Sequence, residues 1–132
     1  MSKYNSRRVA ADGYTFDSVL EYQRYLVLRD LERREKITDL GVHPLFEIHR
    51  AFRDRWGRSH KAAHYVADFL YWDVANTVWR VEDAKGVRTA VYKLKLRLFL
   101  DAYREHDFRE VTAKDVGVVA PVGAKGEDRW TQ

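Results

Sequence analysis

Apolar residues between Phe16 and Arg34 recur at helical spacing, with Val19, Tyr22 and Leu26 on one track and Leu20, Val27 and Leu31 on another. That period predicts a helix, with Asp17 or Ser18 as its N-cap. Ile37 to Leu40 reads as a short extended piece that ends at Gly41. From Pro44 to Asp54 the pattern changes to alternation, Leu45, Glu47 and His49 against Phe46, Ile48 and Arg50, which is the two-residue period of a strand. Arg55-Trp56-Gly57-Arg58 is the expected turn, and Ala63 to Trp72 the returning strand. Val78 to Lys85, rich in Val and Trp, predicts a third strand broken by Gly86. Thr89 to Tyr103 predicts a second helix, and Asp107 to Thr112 a short last strand. The order α-β-β-β-α-β predicts an α/β (α+β) fold, a mixed central sheet flanked by helices, over residues 15–112. Residues 1–14 are expected to be a flexible arm. Residues 113–132, with Gly, Pro and no period, are expected to be a tail.

Composition narrows the class. A chain of 132 residues is one domain by length and long enough to bury a core. With 45% hydrophobic and 14% aromatic residues it is not a disordered chain. The absence of cysteine excludes disulfides, thiol catalysis and thiolate zinc sites together. No apolar run approaches the roughly 20 residues of a membrane span, and the first residues hold no apolar stretch of signal-peptide type. A soluble, intracellular protein with no membrane partner is the expectation.

The net charge of +4 says little until it is divided. Residues 49–64 carry Arg50, Arg53, Arg55, Arg58 and Lys61 against Asp54 alone, net +4. Residues 65–83 carry Asp68, Asp73, Glu82 and Asp83 against Arg80, net −3. Residues 84–100 carry Lys85, Arg88, Lys93, Lys95 and Arg97 with no acid, net +5. Basic flanks suit a phosphate backbone, and an acidic centre between them suits a divalent metal, because hard cations take carboxylate oxygens. Ordinary solvated charge is the simpler alternative.

Strand alternation puts Asp68 on a face with Val66 and Leu70, and Asp83 on a face with Lys85, with Glu82 pointing the other way. If the second and third predicted strands pair, Asp68 and Asp83 converge with Lys85 beside them. Two carboxylates can then hold Mg²⁺ or Mn²⁺, and Lys85 can position or deprotonate a water. An Asp–Lys pair by itself is as readily a structural salt bridge. His60 and His64 have the spacing of a helical zinc pair, but they fall in a predicted hairpin and lack the accompanying Glu.

Four short motifs recur in a recognisable order. They are Phe16-Asp17-Ser18-Val19-Leu20-Glu21, Pro44-Leu45-Phe46, Tyr65-Val66-Ala67-Asp68-Phe69, and Glu82-Asp83-Ala84-Lys85-Gly86 with Thr89. On these the chain resembles the PD-(D/E)XK nuclease superfamily, and more closely a small phage-encoded branch of it. Ala67 stands where that superfamily usually has proline. The resemblance implies a restriction-endonuclease-like core and a metal-dependent DNA endonuclease, with Asp68 and Asp83 as metal ligands and Lys85 as the catalytic lysine. It makes Glu21 the carboxylate that the first helix adds to the metal site. The alternative for Glu21 is a capping box with Ser18, one carboxylate rotamer being expected to serve only one of the two roles. By the same analogy the protein acts as a homodimer on branched DNA, including Holliday junctions, in the cytoplasm of a bacterial host, and needs no small-molecule cofactor. Arg53, Arg55, Arg58 and Lys61 on the 49–64 hairpin are the expected phosphate contacts, with Trp56 able to stack on an exposed base; a solvated hairpin tip is the alternative. Lys93 joins them on the second helix. Lys95 either reaches the site rim from an apolar stripe or snorkels to solvent. A non-catalytic DNA-binding module, and a nicking or site-specific endonuclease on linear duplex, are the rival functions.

Overall fold

The computed structural model describes residues 7–84 and 88–117. It begins with a hairpin, β1 (Val9–Ala11) and β2 (Tyr14–Phe16). Asp12 and Gly13 turn it, both with positive φ, 54° and 84°. The 1–14 segment is therefore not a loose arm over its described part. Each strand is three residues long, too short to show a period. The hairpin is fixed from outside: the Asp12 carboxylate accepts hydrogen bonds from Tyr25 (2.7 Å) and Arg29 (2.6 Å), which hold that carboxyl below its usual range.

The chain continues as α1 (Val19–Arg33), β3 (Ile37–Val42), β4 (Leu45–His49), β5 (Phe52–Arg53) and β6 (Ser59–His60). Then come β7 (Ala63–Val66), β8 (Phe69–Asp73), β9 (Val78–Ala84), α2 (Ala90–Ala102) and β10 (Asp107–Val111). Ser18 caps α1 and Thr89 caps α2, each accepting a backbone N–H three residues on. The central sheet has the order β10-β9-β8-β3. β10 runs parallel to β9 across the α2 connection, and the other pairs are antiparallel, so the sheet is mixed. The described residues thus form a mixed α/β domain with two helices.

The predicted order needs one correction. The 44–54 strand is not in this sheet. β4 pairs with β7 in a separate two-stranded ribbon that β5 and β6 extend. The short piece at 37–42, not the long strand after it, is the edge strand of the sheet. The return strand is accordingly two strands, broken at Ala67 and Asp68. Ala67 N–H still bonds Pro44 of the ribbon (3.2 Å), whereas Asp68 N–H bonds Glu82 of the sheet (3.0 Å). Alternation does not continue through such a break, so Asp68 does not share a face with Val66: Asp68 is buried and Val66 is exposed.

Two apolar clusters cover the two faces of the sheet. Phe16, Tyr25, Leu28 and Ile37 pack with Phe69 and Tyr71 on the α1 side. Phe46, Tyr65, Leu96 and Phe99 pack with Val81 and Phe108 on the α2 side, joined by Leu70 from between Phe69 and Tyr71. Asp73, the last residue of β8, is buried and accepts from Arg80 (2.8 Å) and Asn76. Burial would raise its carboxyl, but those hydrogen bonds hold it below the usual range.

Candidate metal centre

β3 ends at Val42, β8 begins at Phe69 and β9 ends at Ala84, and these three strand ends lie together, since Val42 pairs with Phe69 and Phe69 with Glu82. The first turn of α1 closes the same corner. Three side chains converge there. One oxygen each of Glu21 and Asp68 and a ring nitrogen of His43 all lie within 4.8 Å of one another.

Each is placed by its local chemistry. Glu21 is only 2% exposed, and its backbone N–H donates to the Ser18 cap at 3.1 Å. Its Oε1 accepts the N–H of Asp17 at 2.9 Å, while Oε2 lies 2.7 Å from His43 Nε2. Only the Ser18 half of a capping box forms: Oε1 bonds the residue before the cap instead of the cap N–H, and Oε2 is left facing the corner. His43 sits between β3 and β4 at φ 56°, a left-handed conformation that histidine adopts more readily than most residues. Its N–H donates to the Asp68 carbonyl at 2.9 Å, which ties it to the break between β7 and β8.

Asp68 and Asp83 hold each other. Asp68 N–H donates to Asp83 Oδ1 at 3.0 Å, and Asp68 Oδ2 accepts Ala84 N–H at 2.6 Å. Asp83 Oδ2 takes the Tyr65 hydroxyl. Burial, reinforced by the Asp83 charge, pushes the Tyr65 phenol far up, so it remains a donor. Of the sequence-predicted ligands, Glu21 and Asp68 converge, whereas Asp83 stands behind Asp68 rather than in the converging trio. Glu82 does point away from Asp83, into the α1 face, where it pairs with Arg24. Lys85 lies outside the described residues.

His43 is the residue that sequence reasoning missed. A single histidine before a proline carries no spacing signal. Only the pairing of β3 with β8, separated by some 30 residues of chain, brings it to Asp68.

The remaining predicted residues are dispersed. Arg53, Arg55, Arg58 and Lys61 are exposed on the ribbon. Lys93 and Lys95 are exposed on α2. Lys95 stands on α2 between Val91 and Leu98, 63% and 38% exposed, on one side and the packed Tyr92 and Phe99 on the other, with its own side chain exposed.

This geometry defines a mixed α/β domain with a carboxylate–imidazole corner able to hold a cation. The chain belongs to the family described as "Protein of unknown function (DUF1064)", whose model matches residues 1–114. No curated protein and no solved structure matches it. Among the described residues, no helix is long and apolar enough to cross a membrane.

Proposed function

We propose that this protein is a metal-dependent DNA endonuclease of the PD-(D/E)XK type that hydrolyses phosphodiester bonds. The observation that carries the reading is the convergence of Glu21, His43 and Asp68, from the first turn of α1 and two inter-strand junctions, at the root of a basic ribbon. Two buried carboxylates this close repel each other, and a cation between them removes the repulsion. The donor set fits such an ion: carboxylate oxygens suit Mg²⁺ and Mn²⁺, and the imidazole tilts the preference toward Mn²⁺. When bound, the ion supplies positive charge to a phosphoryl oxygen and lowers the pKa of an attacking water.

The chain's own groups do the rest. Glu21, His43 and Asp68 hold the ion. Asp83, fixed by Tyr65, orients Asp68 through its N–H. Lys85, two residues beyond Asp83, is assigned to orienting the water and neutralising phosphate charge. Water attacks phosphorus in line, the P–O3′ bond breaks, and the 3′-oxygen leaves with a proton. The ribbon arginines and Lys61 grip phosphates, and a homodimer would supply two sites for paired cuts in branched DNA.

The wild-type protein should cut linear, flapped or four-way DNA with Mn²⁺ or Mg²⁺ and fall silent with EDTA. No cleavage of any of the three with either metal would sink the reading.

A further inference from the structure

The tip of the ribbon is built with more care than a solvated turn requires. Asp54 organises it: its carboxylate accepts the backbone N–H groups of Trp56 (2.9 Å) and Arg58 (3.0 Å). It also binds Arg58 Nε (3.0 Å) and His60 Nε2 (2.9 Å). These contacts, with His60 foremost, hold the Asp54 carboxyl below its usual range, so it stays an acceptor. The turn closes through Gly57 at φ 81°, whose N–H donates to Asp54 and whose carbonyl accepts from Arg53. His60 in turn stacks on Phe52 at 4.7 Å and 9°.

What this scaffold presents is an indole. Trp56 is 75% exposed at the apex. The guanidinium groups of Arg55 and Arg58 lie 5.9 and 5.5 Å from its ring. The only carboxylate of the 49–64 segment is already committed, and Arg50, Arg53, Arg55 and Lys61 form no ion pair with a carboxylate among the described residues. An exposed aromatic plane on a hydrogen-bonded turn, with Arg55 beside it and Arg50, Arg53 and Lys61 uncompensated along the same segment, matches the chemistry of a nucleotide whose base is free to stack and whose phosphates are close by. A paired base inside a duplex offers no such face.

We propose that Trp56 is the stacking platform for an unpaired base, so that the ribbon selects DNA with a single-stranded segment over continuous duplex. This rests on the nucleic-acid reading above and narrows its substrate. It also sets a distance. The ribbon is rooted between His43 and Asp68, where Pro44 bonds Ala67. At about 3.3 Å per residue over the twelve residues from Pro44 to Trp56, its tip lies no more than about 40 Å from the metal corner, so the unpaired base falls within roughly twelve nucleotides of the cut.

The test is a binding titration of the full chain in EDTA, where cleavage plays no part, against a blunt duplex and the same duplex with a single-stranded extension. The wild type should prefer the extended duplex about tenfold, the worth of one stacked base. Trp56→Ala should lose that preference with blunt-duplex affinity and melting temperature unchanged, and Trp56→Phe should keep most of it. Three results would overturn the proposal. One is equal wild-type affinity for both duplexes. Another is a preference that survives Trp56→Ala. The third is a Trp56→Ala variant altered only in oligomeric state, which would give the tip to a protein contact. A protein that shows the preference and yet cuts nothing with Mn²⁺ or Mg²⁺ would overturn the nuclease reading and leave this one standing.

Discussion

Asp68→Asn should lower metal-dependent DNA cleavage by about 10²–10³-fold, the usual cost of removing one electrostatic contact to a reacting centre. Asp68 contributes an oxygen to the converging trio, while its Oδ2 also accepts Ala84 N–H. Asparagine keeps an acceptor for that N–H and removes the charge. The fold should therefore survive, and the lost rate should reflect the lost ligand. Single-turnover cleavage beside a thermal melt separates the two. Activity within a few fold of wild type would remove Asp68 from the site.

Glu82→Ala should cost about 3–5 kcal/mol of stability, a large part of what a domain of this size possesses. Glu82 lies beside Asp83 but does different work. Its two oxygens take Nε and Nη2 of Arg24, both at 2.6 Å, and Oε2 also takes the Tyr71 hydroxyl. Arg24 reaches on to the carbonyl of Val116 at 2.7 Å. Both partners are almost wholly buried. Alanine at 82 leaves a buried guanidinium without its counter-charge, and that is costlier than losing the pair together. Glu82→Leu with Arg24→Met should therefore recover much of the loss in urea denaturation. A single-variant loss below about 1 kcal/mol would show that solvent reaches this pair.

These two neighbours also show how far the sequence can be read. Alternation separates Asp83 from Glu82 correctly, because β9 is continuous from Val78 to Ala84. The helices are legible for the same reason: their periods run unbroken between Ser18 and Thr89 caps and the chain reversals that follow. Where an element breaks, the period misleads. Asp68 falls at the junction of ribbon and sheet, and nothing in Tyr65-Val66-Ala67-Asp68 marks the change of partner. The same ambiguity hid β3, since a short apolar piece and a long alternating one give no sign of which joins the sheet. Glu21 was legible as a residue, but the Asp17 N–H that donates to its other oxygen was not. His43 was not legible at all, because its meaning lies in a pairing between distant strands.

The central claim is that the corner of Glu21, His43 and Asp68 holds a divalent cation. Mn²⁺ titration followed by electron paramagnetic resonance tests it without any substrate. The wild-type protein should bind Mn²⁺ more tightly than Mg²⁺ competes for the same site. Glu21→Gln, His43→Ala and Asp68→Asn should each weaken Mn²⁺ binding at least about tenfold, and His43→Ala should also narrow the gap between the two metals. Mn²⁺ affinity unchanged in all three variants, or no binding by the wild type, would contradict the account.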